Sequence, residues 1–311
     1  MQLPRLCSCL VAVVTCTTLL PANPKVGVLL KDRDLFWAAV QDGVVEASQA
    51  AKLDPIIKAP LNANMLGQQL TLLSALEKEP SLDALVIGPL TIDDFKAPLA
   101  SFVKRGVKIV ALDTPLPAGI AHTFIGYNQK AMAEAAARYF ASLIQDTDEV
   151  AMLRANSLET VSVREKSFLA TFKELQPKAT MHLDVMSGAK KGDDYDQSIL
   201  LLASHPKIKA VLTPFSAGSM AMIKALNDKK LAGKVQQVGF GVGLPPAVVE
   251  AIEAGTLIGW VAQQPKLIGV RGIEAAADLI QNKPVPATID VDYFIVTKAN
   301  LNEPKIQELR K

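Results

Sequence analysis

From Lys25 to Gln281 the chain alternates short apolar runs with longer segments of helical spacing, with few interruptions. Few architectures satisfy such a pattern. The run KVGVLL over Lys25–Leu30 is apolar at nearly every position, which suits a strand covered on both faces. Further strands are predicted over Pro55–Lys58, Ala84–Ile87, Val107–Leu112, Thr123–Gly126, Val150–Leu153, Met181–Val185, Lys209–Thr213, Val235–Phe240 and Ile258–Val261. Between them the spacing predicts helices over Phe36–Leu53, Ala63–Lys78, Thr91–Arg105, Gln129–Ile144, Val163–Leu175, Asp194–Ser204, Ala217–Leu226, Pro246–Ala254 and Leu267–Gln281. Strands alternating with helices imply parallel sheets with helices on both faces. About ten strands in 311 residues fit two sheets better than one. The expected class is therefore α/β, with two doubly wound domains that break near Gly126–Asn128, where an extra strand interrupts the cycle. No linker rich in Pro, Gly or Ser separates the halves, and no short repeat or low-complexity segment is visible.

Residues 1–22 stand outside this cycle. Arg5 precedes an apolar run from Leu6 to Leu20, and small residues lead to Ala22, the arrangement of a secretory signal cleaved at that point. In an alternative reading, Val13-Val14-Thr15-Cys16 resembles a lipobox with Cys16 as the lipidated residue, although Thr15 stands where Gly or Ala is usual. All three cysteines, Cys7, Cys9 and Cys16, lie in this segment. The folded part is thus expected to hold no disulfide, thiol nucleophile or cysteine metal site. No later stretch approaches the ~18 apolar residues of a membrane span. The 33 Lys and Arg nearly balance 31 Asp and Glu, which argues against a nucleic-acid partner. Half of the residues are hydrophobic, enough for a substantial core.

Ligands of open α/β sheets bind beyond the carboxyl ends of the strands. The residues at those positions are Lys31, Asp32, Arg33, Asp34, Phe36 and Trp37; Gly88, Pro89 and Leu90; Asp113 and Thr114; Arg154, Asn156 and Ser157, with Arg164 opening the next helix; Pro214, Phe215 and Ser216; Gly241, Val242 and Gly243; and Gln263 and Gln264. Phe36, Trp37 and Phe215 offer faces for stacking on an apolar ring face. Asp34, Asp113, Arg164 and Gln263 can make charge-assisted hydrogen bonds to hydroxyls. Lys31, Asp32, Arg33 and Gln264 read as solvated loop. Asp113 does not, because a carboxylate directly after an apolar strand is costly to bury without partners.

Other motifs carry less. The run from Gly239 to Gly243 begins like a dinucleotide fingerprint, but Leu244 fills the third glycine position and two prolines follow. Asp193, Asp194 and Asp196 lack calcium-loop spacing and suit a helix N-terminus. His122, His182 and His205 are far apart, and none sits at a predicted strand's carboxyl end. A nucleophilic mechanism has no visible parts. Trp260, Met220 and Met222 read as core. No cofactor and no metal are expected.

The stretches KVGVLLKDRDLFWAAVQDGVVEASQAA, LDALVIGPLTIDDF, GVKIVALDTPLP, HPKIKAVLTPFSAGSMAMIKAL and VGFGVGLPPAVVEAIEAGTLIGWVAQQP resemble, in order, the periplasmic type I sugar-binding proteins of the ribose- and galactose-binding group, which serve ABC transporters. The similarity runs from Pro24 to Ile295. It implies two Rossmann-like lobes joined by three crossings, near Gly126, near Gln263 and around Ile289–Val291. The N-terminal lobe would be 24–126 plus 264–290, and the C-terminal lobe 127–263 plus 291–311. By the same resemblance, Asp34 matches the acidic or amide residue before the stacking aromatics Phe36 and Trp37. Asp113 matches the aspartate that grips ligand hydroxyls, Arg164 the arginine of the C-terminal lobe and Gln263 the hinge amide. Three ligand positions depart from the family pattern: Phe215 replaces Asn or Asp, Gly241 replaces an aspartate, and Thr114 replaces a frequent arginine. Each lost charged hydrogen bond removes roughly 1.5–3 kcal/mol. The segment around Phe215 also resembles the loop of autoinducer-binding and some deoxysugar-binding relatives.

The resemblance implies a non-enzymatic, extracytoplasmic monomer. It would capture a small polar ligand, such as a sugar, polyol or sugar-like metabolite, by hinge closure and deliver it to an ABC permease of the inner membrane. The alternative is a ligand-sensing partner of a periplasmic histidine kinase or chemoreceptor, or a binder of a less polar signal such as an autoinducer. A transcriptional repressor on the same fold would need a helix-turn-helix where the signal segment stands.

Overall fold

The computed structural model describes residues 22–155, 159–188 and 192–310. The expected signal segment up to Pro21, with its three cysteines, and Asn156 and Ser157 lie outside the described residues. The chain builds β1 (Lys25–Leu29), α1 (Leu35–Ala51), β2 (Asp54–Lys58), α2 (Leu66–Glu77), β3 (Leu82–Ile87), α3 (Ala100–Lys104), β4 (Lys108–Leu112), β5 (Thr123–Gly126) and α4 (Gln129–Ala141). It continues through β6 (Glu149–Met152), β7 (Arg154–Ala155), α5 (Glu159–Leu175), β8 (Thr180–His182), β9 (Met186–Ser187), α6 (Asp194–Ser204) and β10 (Ala210–Thr213). The remainder is α7 (Ser216–Asp228), β11 (Gln236–Val242), α8 (Pro246–Glu253), β12 (Leu257–Gln263), α9 (Pro265–Ile280), β13 (Thr288–Asp290), β14 (Tyr293–Val296) and α10 (Pro304–Gln307).

These strands form two six-stranded sheets and one small pair. The first sheet, in the order β2-β1-β3-β4-β5-β13, is parallel throughout. The second, β8-β6-β10-β11-β12-β14, is parallel except for β14, which runs against β12. Both are the doubly wound sheets that the alternation predicts. Their central strands are buried on both faces, which is why their sequences are apolar at consecutive positions. Strands β7 and β9 pair apart from both sheets.

Several elements depart from the pattern, among them one helix and the last two strands. The helix predicted over Thr91–Arg105 is instead a short turn of 3-10 helix, Asp93–Phe95, and the five-residue α3. Pro98 lies between them, and its missing N–H and its ring interrupt a helical ladder. The C-terminal strands β13 and β14, of three and four residues, carry no periodic signal and join opposite sheets. Helix α9, late in the chain, packs on α1, β3, β4 and β5 of the first sheet. Its crossing with α1 is backbone on backbone. A Cβ on Gly43 would lie 2.0 Å from the Lys266 carbonyl oxygen, and one on Gly269 would lie 2.0 Å from that of Val40.

A buried amide fixes the strand ends of the first sheet. Gln69 of α2 donates to the carbonyls of Leu30 (2.9 Å) and Gly88 (2.8 Å) and accepts from the Leu90 N–H (2.9 Å). The second sheet has an equivalent clamp: Ser219 Oγ donates to the Thr213 carbonyl and accepts from the Phe240 N–H at 3.0 Å. Gln69→Leu strands three buried backbone groups, so stability should fall by about 2–4 kcal/mol. Urea unfolding measures it, and a loss below about 0.5 kcal/mol would remove Gln69 from this role.

Candidate functional site

Between the carboxyl ends of the two sheets lies a cavity of about 220 Å³. One wall is Lys31, Asp32, Asp34, Phe36, Trp37, Ala63, Leu90 and Asp113; the other includes Glu159, Thr160, Val161, Arg164, Phe215 and Gln263. Seven of the nine residues expected at a ligand site therefore meet there: Asp34, Phe36, Trp37, Asp113, Arg164, Phe215 and Gln263. The cavity opens into a wider groove of about 540 Å³, which shares Asp32, Asp34, Ala63, Phe215 and Ala217 and adds Asn62, Asn64 and Asp194.

The floor on the first-sheet side is an ion pair. Asp113 follows β4 at φ 60°, in a three-residue turn closed by the Thr114 N–H on the Leu112 carbonyl at 2.6 Å. That left-handed geometry is sparsely populated by residues other than Gly, Asn and Asp, and strain of this kind gathers at binding sites. Gly126 on β5 makes room for the turn, since a Cβ there would sit 3.3 Å from the Asp113 Cα. The Lys31 ammonium donates to Asp113 Oδ2 at 2.6 Å, contacts the Thr114 hydroxyl and lies 5.7 Å from the Trp37 ring centroid. Lys31 is only 7% exposed, so the reading of this residue as solvated loop is corrected. A cation with no internal partner would not stay buried, and Asp113 supplies one.

Above the floor, Asp34 caps α1, its Oδ1 accepting from the Trp37 N–H at 2.9 Å. Desolvation in the cleft raises the pKa of its carboxyl above the ordinary value, with the Asp32 and Asp113 charges adding and the N–H bonds of Trp37 and Phe36 opposing. Phe36 and Trp37 pack edge to face at 5.5 Å. The Trp37 ring is 5% exposed and fills the space over Gly88, where a Cβ would lie 2.4 Å from it, so Phe36 is the more open of the two.

Arg164 reaches the cavity from α5 and is 5% exposed. Its Nε and Nη2 both donate to Gln129 Oε1, at 3.1 and 2.8 Å; Nη1 donates to the Pro214 carbonyl, and the guanidinium stands 4.8 Å over the Phe240 ring. Desolvation lowers its pKa to about 10, against the opposing pull of Asp113, Tyr127 and Glu165, so it stays cationic at neutral pH. Its hydrogen-bond acceptors are neutral. Close by, the buried Gln129 Nε2 has no hydrogen-bond partner among the described residues. Burial raises the Tyr127 phenol far above its ordinary pKa, keeping it a donor. Tyr127 and Gln129 carry no signal in the sequence, whereas Lys31 stands directly after an apolar strand, where it reads as solvated loop.

Two expected residues do not line the cavity. Thr114 is fully buried, its hydroxyl taken by Lys31. At Gly241 a Cβ would lie 2.3 Å from the Trp260 ring, which fills the place a side chain would occupy. Trp260 is core, and its indole N–H donates to the Gly243 carbonyl at 2.8 Å.

Paired parallel sheets whose strand ends face one cavity of mixed aromatic and charged residues define a two-lobed α/β solute-binding protein. Residues 26–284 match the periplasmic binding protein domain family, and the chain belongs to that family. It is 27% identical over 227 residues to a ribose import binding protein of Bacillus subtilis, covering 71% of this chain and 70% of that one. The D-allose-binding periplasmic protein of Escherichia coli is 24% identical over 281 residues, 85% of this chain and 88% of the relative. Among solved structures, a carbohydrate transporter solute-binding protein of Agrobacterium radiobacter, in complex with D-arabinose, superposes with a TM-score of 0.84 at 22% identity. That match covers 93% of this chain and 99% of the other.

Proposed function

We propose that this chain captures one small monosaccharide between its lobes, outside the cytoplasmic membrane, and presents it as a monomer to an ABC permease. One observation carries the reading: a buried arginine without a carboxylate on its hydrogen-bonding groups (Arg164) faces a buried lysine–aspartate pair (Lys31–Asp113) across a cavity rimmed by Phe36 and Phe215. Charged donors and acceptors suit a ring of hydroxyls, and the aromatic faces suit its C–H face. Membership of a binding-protein family supports binding without turnover. The lobes are 24–126 with 264–290, and 127–263 with 291–311, and they close about the crossings near Gly126, Gln263 and Ile289–Val291. Asp34, Asp113, Arg164 and Gln263 hydrogen-bond the sugar, Phe36 and Phe215 cover it, and Lys31 joins them.

The cavity is smaller than the roughly 300–1,000 Å³ of sites for drug-sized ligands. Phe215 makes its second wall apolar where a polar side chain would hold a hexose hydroxyl. An aldopentose or a 6-deoxyhexose fits both conditions. Similar proteins include a ribose import binding protein and a D-allose-binding protein, and solved structures of similar fold hold D-arabinose, D-fucose and D-allose, so the choice rests on the size and polarity of this cavity. Calorimetry with D-ribose, D-arabinose, D-fucose and D-galactose tests this. A pentose or deoxysugar should bind with micromolar affinity, about 8 kcal/mol, and about tenfold or more tighter than galactose. Tighter binding of galactose would refute the size and polarity argument; heat from none of the four would refute sugar binding.

A further inference from the structure

Away from the cleft, at the outer edge of the second sheet, two of the chain's three histidines meet. His182 is the last residue of β8, which corrects the expectation that no histidine ends a strand. His205 is the residue that ends α6. Their rings stack with centroids 3.9 Å apart and 19° between planes. His182 Nε2 lies 3.2 Å from Glu149 Oε2 on neighbouring β6, and His205 Nε2 lies 2.7 Å from Asp184 Oδ1. One nitrogen of each ring and one Asp184 oxygen all lie within 4.8 Å of one another.

We propose that His182, His205 and Asp184 form a binding site for a divalent first-row transition ion, Zn²⁺ foremost. Imidazole and carboxylate are the ligand types such an ion takes, at roughly 2.0–2.2 Å. The Asp184 carboxylate already lies against His205 Nε2, so it and the two rings are gathered at one point. Glu149 takes the place of the outer carboxylate that orients a metal-bound histidine through its other N–H.

For both lone pairs to converge, the rings must fan apart from their present 19°. Both side chains stand at element ends, and Asp184 is exposed. A bound ion would tie edge strand β8 to the end of α6, leaving the sugar cleft untouched.

The full chain, freed of metal with a chelator and its cysteines alkylated, is titrated calorimetrically with ZnCl₂ at neutral pH, with thermal unfolding in parallel. One saturable site with micromolar or tighter affinity is expected, together with a rise in Tm. His182→Gln and His205→Gln should each weaken binding by about tenfold or more, and Asp184→Asn similarly. His122→Gln, at the remaining histidine, should not. Circular dichroism before titration confirms that each variant is folded. Co²⁺ in place of Zn²⁺ should give the visible bands of a low-coordinate site, lost in the same variants. Absence of saturable binding up to about 1 mM Zn²⁺, or binding that survives both histidine substitutions, would overturn the proposal.

Discussion

Asp113→Asn should weaken sugar binding by about 100-fold or more and lower stability by about 3 kcal/mol. Asparagine tolerates the left-handed turn as aspartate does, so the substitution isolates the charge from the geometry. What it removes is the counter-charge of a lysine that is 7% exposed, and an uncompensated buried cation costs far more than a lost surface ion pair. Adding Lys31→Met removes that penalty. The double variant should regain most of the stability, measured by urea unfolding, while calorimetry shows that sugar affinity does not return. Equal stability of the single and double variants would show that the pair is not coupled; unchanged affinity in Asp113→Asn would remove Asp113 from the site.

The second large effect lies at the crossing of two helices. Gly269→Ala places a Cβ 2.0 Å from the Val40 carbonyl oxygen and 2.8 Å from the Val44 nitrogen. Both are backbone atoms of α1, so no rotamer change relieves the contact and the helices must separate. Overpacking on rigid neighbours should cost about 3 kcal/mol or more, exceeding the ~1 kcal/mol by which alanine favours a helix over glycine. Gly67→Ala in α2 is the matched control, because nothing lies within 4 Å of the added carbon. It should leave stability unchanged or raise it by up to about 1 kcal/mol. If the two variants unfold at the same urea concentration, α1 and α9 do not cross as described.

Much of the architecture is legible in the sequence because buried parallel strands impose local constraints: β1, β4, β5, β10 and α6 fall where short apolar runs and helical spacing place them. The signal for the break at Pro98 is equally local, yet the helical spacing predicts a helix straight through it. What escapes is pairing over distance. Lys31 looks like any polar residue after a strand until its partner, 82 residues on, is folded against it. Gln69 and Gln129 resemble solvent-facing helix positions, and their burial follows from backbone ends and a guanidinium that only the fold brings near. Strands β13 and β14, of three and four residues, are too short for a period to register. At Gly241 the departure from the family pattern was visible, but its cause, the Trp260 ring, was not.

The course of the chain through the first sheet also bears on how the molecule is made. Strand β13 and helix α9, which complete that sheet and cover it, come from residues 265–290, after nearly all of the second sheet has been passed. Domains commonly finish folding in the order in which they leave the ribosome. Here the amino-terminal half stays unfinished until the carboxyl-terminal half is almost synthesised, and a stop codon at residue 264 would leave the first half without its covering helix and edge strand.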